Sequence, residues 1–309
     1  MMKPFRGEAE PAREREAPAP TIRLEIFRHD EKATPTTAGP RIGDEFVRLT
    51  PKGREHATEA GKGQLPRPEV AVAYGSTRER AIETAFRHML AEQADITADM
   101  SLEEIRAEVA KHVKVGRKDV MTERLNFNWD GTKEFHDRAY ERYLKSKDAL
   151  TFLVEDSDAV AKEFHDLIST TYSRSAAGVA ELVQRYFAIL PRWEKIAKKD
   201  PAKYQRFNNE LQRFLGSHQT VTECFLMKVI EKTKGRDAVQ QFIASLPDKN
   251  GFGLSEGFTI IIRAEGNVSA AVVRFKNEEW TVTPEVLDEI IHDRDALHEE
   301  IAGSGTTQL

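Results

Sequence analysis

Two histidines and three arginines stand where the chain pattern turns out of a strand or into a helix. Arg28 and His29 directly follow TIRLEIF, in which Ile22, Leu24 and Ile26 alternate as strand residues do. Arg78 and Arg80 lie at the start of STRERAIETAFRHMLAEQ, whose rows Ala81–Ala85–Met89 and Ile82–Phe86–Leu90 have helical spacing. Ser217 and His218 close QRFLGSH, ahead of the helix-like TVTECFLMKVIEK. A fourth segment, TERLNFNWDGT at 122–132, precedes a long helical stretch. A helix N-terminus favours anions, and a guanidinium beside it adds a two-pronged donor. Ligands of open α/β sheets bind beyond the carboxyl ends of the strands, so these positions can converge on one anion. Each has an ordinary reading by itself: a histidine at a strand end is usually structural, an arginine usually solvated, and an aromatic pair such as Phe127 and Trp129 usually core. Their order along the chain is what makes them a candidate site.

The elements that must carry these residues follow the same pattern. LTPKGREHATEAGKG predicts a helix with Thr50 as N-cap, Pro51 at its first position and Gly61 as stop. VAVAY at 70–74 predicts a short buried strand, and SLEEIRAEVAKHV a helix with Ser101 and Glu104 as a capping box. Strand, helix, strand, helix in that order predicts an α/β fold: a three-layer αβα core with a mostly parallel sheet. From 132 to 211 apolar residues keep helical spacing, with breaks expected near Pro191 and Pro201, which predicts a helical insertion acting as a cap. DAVQQFIASL is a further helix, GFTIIIRAEGNVSAAVVRF a hairpin about Glu265-Gly266-Asn267, and Thr283-Pro284-Glu285 the start of a last helix. The expected division is a disordered leader at 1–20, a core at 21–131 and 212–300, the insertion at 132–211, and a flexible tail at 301–309.

Composition limits the partners. Of 309 residues, 39% are hydrophobic and 31% charged, enough for a sizeable core under a wet surface. A net charge of −5 excludes a generally basic nucleic-acid binder. The single cysteine, Cys224, excludes an internal disulfide framework and suits a reducing, cytoplasmic setting. The leader lacks the apolar run of a signal peptide, and no segment reaches the roughly 18 apolar residues of a membrane helix.

Taken as a set, the motifs resemble those of the histidine phosphatase superfamily, which holds phosphoglycerate mutase-like enzymes and many acid phosphatases. The chain has RHDE at 28–31 where the family has Arg-His-Gly-Glu, LTPKG at 49–53, and STRERAIETA at 76–85. It also has Ser217-His218 late in the chain, and TERLNFNWDG at 122–131 in place of the family's Asn-Glu-Arg segment. The likeness spans about 21–131 and 212–275. It departs at Asp30, where the family has glycine, and in QRFLG, which is more polar than the family's valine-rich strand.

The resemblance implies a phosphatase that works through a phosphohistidine. His29 would be the nucleophile, and Arg28, Arg80 (rather than Arg78) and a protonated His218 would bind the phosphoryl group. Glu123 would donate the proton to the leaving group. It implies no cofactor, and a small phosphorylated substrate as partner rather than nucleic acid or membrane. Neighbouring cations keep a histidine neutral and so nucleophilic, and phosphoryl transfer is mostly positioning and charge stabilisation. A mutase that returns the phosphoryl group to a second hydroxyl, and a non-catalytic relative that binds a phosphorylated ligand or partner, are the alternatives. A metal site of His29, Asp30, Glu31 and His218 is disfavoured, because adjacent strand residues face opposite ways. A last expectation concerns Lys195, Lys198, Lys199, Lys203 and Arg206, a basic patch that is either a solvated face or a guide for large anionic substrates.

Overall fold

The computed structural model describes residues 18–34, 43–63, 68–93, 95–112, 119–265 and 268–304. Most of the expected leader, the 35–42 part of the first loop, the Gly266-Asn267 turn and the 305–309 part of the tail lie outside these residues. Seven strands form one sheet in the order β3-β2-β4-β1-β5-β6-β7. They are β1 (Thr21–Arg28), β2 (Ala71–Gly75), β3 (Asp119–Met121), β4 (Glu210–Ser217), β5 (Gly257–Glu265), β6 (Val268–Phe275) and β7 (Glu278–Val282). The sheet is mixed: β3, β2, β4 and β1 run parallel, while β5, β6 and β7 add on as an antiparallel edge. Strands β3 and β7 escaped the sequence reading, since three residues or EEWTV give too short an alternation.

Helices cover both faces, which makes three layers. Helices α1 (Pro51–Gly61), α2 (Glu79–Met89) and α3 (Leu102–His112) lie on one side. There Phe27, Ala71, Ala73 and Phe214 of the sheet pack with Ile82, Phe86 and Ile105. The helical region between β3 and β4 holds α4 (Lys133–Tyr140), α5 (Asp158–Glu163) and the 28-residue α6 (Tyr172–Lys199). After β4 come α7 (Val221–Lys234), α8 (Arg236–Ser245) and, at the end, α9 (Pro284–Ser304). Ile22, Leu24 and Ile26 of β1 join a second core with Val179 and Val183 of α6, Leu226 of α7 and Leu287 of α9.

The caps form as their residues dictate. Thr50 Oγ1 accepts the Gly53 N–H, and Ser101 and Glu104 exchange side-chain to backbone hydrogen bonds as a capping box does. Two details differ from the sequence reading. Helix α6 does not break at Pro191 but runs through it, with Leu190 and Trp193 buried on either side. Packing there outweighs the one backbone hydrogen bond that proline removes. Helix α9 continues to Ser304 with Ile301 buried, so the last residues before 305 are part of the fold.

The segment expected as one cap has two roles. Helix α6 is a layer of the core, whereas residues 133–163 form shorter pieces, of which Tyr143 reaches Gln219 while Val154 and Glu155 meet Arg236 and Gln240 of α8. A five-residue π turn, Glu141–Lys145, follows α4 directly. The polar half of β4 is also accounted for. Arg213 donates to the carbonyls of Val70 and Gln212 and lies over the Tyr186 ring, while Phe214 and Leu215, nearer His218, are buried.

Candidate active site

All four parallel strands end at one edge, and the ladder runs one residue past each end. Arg28 is in register with Ser217, Gly75 with Gly216, and Gly75 with Met121. The N–H of His29 then donates to Ser217, that of Ser76 to Gly216 and that of Thr122 to Gly75. His29, Ser76, Glu123 and His218 therefore leave the sheet side by side. Helix α2 can approach because two glycines lack a side chain. A Cβ on Gly216 would lie 2.0 Å from the Ala81 carbonyl oxygen, and one on Gly75 2.7 Å from Ile82. That close approach brings Arg80 to His29.

The geometry fixes the proton on His29. Its Nδ1 lies 2.6 Å from the Asp30 carbonyl oxygen, which can only accept, so Nδ1 carries the hydrogen. The Nε2 lone pair is left to face Arg80, whose Nε donates to it at 3.3 Å. Burial, then the charge of Arg80, with smaller pushes from Arg28 and Lys32, holds the pKa of His29 down to about 3. The imidazole is neutral, with its free nitrogen toward the arginine.

His218 meets His29 edge to face with ring centroids 5.1 Å apart, and its Nε2 lies 2.8 Å from Ser76 Oγ. Burial first, then His29 and Arg80, push its pKa well below the usual histidine range. Burial and the neighbouring cations therefore hold this ring neutral.

Arg80 is fully engaged. Beyond His29, its Nη1 donates to the Asp44 carbonyl at 2.7 Å and its Nη2 to the Asp44 carboxylate at 2.9 Å. Arg78 Nε donates to the same carboxylate at 2.6 Å, and Lys32 lies 3.4 Å from its other oxygen. Burial raises the Asp44 pKa, but the hydrogen bonds from Arg80 and Arg78 outweigh it and hold the carboxyl ionised. Arg28 is placed differently: its Nη1 donates to the Phe252 carbonyl at 2.5 Å, and its buried Nε has no partner among the described residues.

Asp30 does not crowd the pocket. Its fully buried carboxylate turns aside to accept from Ser255 Oγ at 2.6 Å and the Glu31 N–H at 2.7 Å, and it pairs with His56 Nδ1 at 2.6 Å. The Asp30 N–H donates to Thr84 of α2. His29, Asp30, Glu31 and His218 are not a ligand set. The grouping that does bring ligand atoms within 4.8 Å among the described residues is Asp95, Glu108 and His112, beside α3.

Glu123 is exposed and opens a short 3-10 turn after β3. No hydrogen bond or ion pair joins it to His29, Arg28 or Arg80 among the described residues. It stands on the rim of a cleft of about 430 Å³ with Asn126, Asn128, Ser169 and Arg174. Asn126 Oδ1 accepts from the N–H and hydroxyl of Thr77, which ties this cleft to the start of α2. Phe127 points the other way, 6.5 Å from His218, and contacts the buried Trp129. Cys224 is free and buried, and no described helix is long and apolar enough to cross a membrane.

The basic patch lies at the wrong end. Helix α6 starts beside the site, where Gly178 abuts the Arg124 carbonyl, and ends where Trp193 Nε1 donates to Asn209, just before β4. Lys195 lies seventeen residue steps along the helix from Gly178, about 26 Å at 1.5 Å per step. The lysines therefore sit at the opening edge of the strands, which favours the solvated-face reading of the patch.

Sequence reasoning passed over several partners. Asp44 lies in a loop with no periodicity, Ser76 gives no chemical signal of its own, and the Phe252 carbonyl carries no side-chain signal. Tyr143 and Gln219, discussed below, belong to the same group.

No family model and no curated protein matches the chain. Among solved structures it is similar to mycobacterial hydrolase 2, at 15% identity and a TM-score of 0.44, over 89% of this chain and 98% of that one. It is similar to a phosphoglycerate mutase from Bacillus anthracis at 16% identity and a TM-score of 0.39, over 89% and 99%. A mycobacterial glucosyl-3-phosphoglycerate phosphatase is similar at 15% identity and a TM-score of 0.42, over 78% and 90%.

Proposed function

We propose that this protein is a phosphomonoesterase of the histidine phosphatase superfamily, working in the cytoplasm on a small phosphorylated substrate. One observation carries the reading: a neutral imidazole, its Nδ1 proton held by the Asp30 carbonyl, turns its Nε2 lone pair toward the guanidinium of Arg80. Such a nitrogen is a nucleophile, and the cations around it suit a phosphoryl group better than any neutral electrophile.

In this reading the phosphoryl group replaces the Asp44 carboxylate on Arg80 and takes further donors from Arg28. His29 Nε2 attacks phosphorus, and the bond to the leaving oxygen breaks as Glu123 supplies a proton. The dianion beside His218 favours protonation of that ring, which becomes a further donor. Glu123, now a carboxylate, takes a proton from water, and the hydroxide attacks phosphorus. The P–N bond breaks and its electron pair returns to His29. From its place on the rim, Glu123 must turn inward when substrate binds, and catalytic contacts of this kind often tighten only in the complex.

Rapid quenching of the enzyme with a phosphomonoester should trap an alkali-stable, acid-labile phosphate on the wild type and none on His29→Ala. Turnover without any such adduct in a single-turnover experiment would remove the covalent route.

A further inference from the structure

Tyr143 links the 133–163 region to Gln219, the residue after His218. Tyr143 sits in the π turn Glu141–Lys145, a local register change of a kind frequent at functional sites. Its ring packs edge-on against Trp129, with centroids 4.9 Å apart, and its hydroxyl donates to Gln219 Oε1 at 2.6 Å. Gln219 directly follows His218. The other end of the same amide, Nε2, donates to the Phe252 carbonyl at 3.3 Å. That carbonyl is also the acceptor for Arg28 Nη1.

The Phe252 carbonyl is a fixed point. The Phe252 ring is fully buried and stacks on Phe275 with centroids 4.8 Å apart. Its N–H donates to the buried carboxyl of Glu223, which also accepts from Thr222 Oγ1. Gly251 before it has φ +126°, and a Cβ there would lie 2.2 Å from Glu223 Oε1, so only glycine fits. The same segment holds the helical region a second time: Lys249 O accepts from Leu150 N–H, and Asn250 Oδ1 from Ala149 N–H.

We propose that Tyr143 and Gln219 are positioning residues for Arg28, linking the docking of the 133–163 region to the strength of phosphate binding. A glutamine amide that accepts from Tyr143 is oriented with its nitrogen toward Phe252. The Phe252 carbonyl then fixes the direction of the Arg28 guanidinium. Without the tyrosine hydroxyl the amide can turn over, and it would then present oxygen to oxygen. The inference rests on the phosphate-binding reading of Arg28.

Calorimetric titration with inorganic phosphate tests it, alongside kcat and KM for nitrophenyl phosphate. Tyr143→Phe keeps the ring on Trp129 and removes only the hydroxyl. It should weaken phosphate about five-fold, the effect of one hydrogen bond, with an unchanged melting temperature. Gln219→Glu keeps the acceptor for Tyr143 but loses the donor to Phe252, and should weaken phosphate by at least as much. The double variant should be no weaker than Gln219→Glu alone, because the two act in series. A Tyr143→Phe protein with wild-type phosphate affinity, or losses that add in the double variant, would overturn the proposal alone. If the wild type binds no phosphate at all, the reading of the site falls and the proposal falls with it.

Discussion

Arg80 and Arg28 both act on His29 and are held in opposite ways. Arg80 spends its guanidinium on Asp44, carboxylate and carbonyl both, and its Nε on His29. Arg28 has no ion pair among the described residues; a neutral carbonyl holds it, and its Nε is unpartnered. The Asp44 side rests on a lightly anchored turn: no residue of Asp44–Phe46 is buried, and Phe46 is 57% exposed. The Arg28 side rests on a segment packed into the core. One arginine is paired with an internal anion, and the other is held by a neutral carbonyl. Preorganised donors cost no rearrangement when charge develops, whereas a paired donor must first exchange its partner.

The largest effects should come from removing either arginine, and they should differ. On the proposed reading Arg28→Ala removes a phosphate donor, so kcat/KM should fall about 10²- to 10³-fold, the range for loss of one preorganised donor. Arg80→Ala should cost more than Arg28→Ala, since it also frees an Asp44 carboxylate beside the incoming phosphoryl group and removes the hydrogen bond to His29. Steady-state kinetics on a single ester compares the two. Equal losses would mean that Asp44 has no part in the ligand-bound site.

Asp44 itself should give a smaller effect of opposite sign. Asp44→Asn keeps the backbone carbonyl for Arg80 but removes the competing charge. Because the carboxylate is half exposed, the gain is modest: phosphate should bind roughly five-fold tighter. The same substitution in an Arg80→Ala background should lose most of that gain, since the two residues act as a pair. Competitive inhibition by inorganic phosphate measures both. Weaker phosphate binding in Asp44→Asn would show instead that the carboxylate organises the arginines for the ligand.

The sequence revealed one side of this comparison better than the other. Arg28, His29, Arg80 and His218 were legible because each sits at a strand end or helix start, where local pattern gives position. The αβα core was legible from alternation in β1, β2 and the β5–β6 pair, and from helical rows in α2 and α6. What pattern does not carry is a contact made by a backbone atom, such as the Phe252 carbonyl. Nor does it carry a side chain in an aperiodic loop, such as Asp44, or one re-aimed by a π turn, such as Tyr143. The mutual order of strands was equally hidden. The patch at Lys195–Arg206 was adjacent to His218 in sequence, yet β4 runs its full length between them, so sequence proximity suggested a nearness that the strand undoes.

That patch gives the smallest expected effect, and its value lies in being near zero. Lys195, Lys198 and Lys199 are exposed near the end of α6, and Lys198 already lies 3.9 Å from Glu194. At about 26 Å from the start of the site, counted along the helix, they are more than two screening lengths away at physiological salt, where the Debye length is about 8 Å. Replacing all three with alanine should leave kcat/KM within about two-fold for both nitrophenyl phosphate and larger polyanionic esters, because only unscreened charge steers at such range. At about 0.01 M ionic strength the Debye length grows to about 30 Å, and a slower association with polyanions should then become measurable. A loss specific to large anions at physiological salt would contradict this geometry. It would mean that such substrates reach around α6, and that the site recognises far more of its ligand than the phosphoryl group.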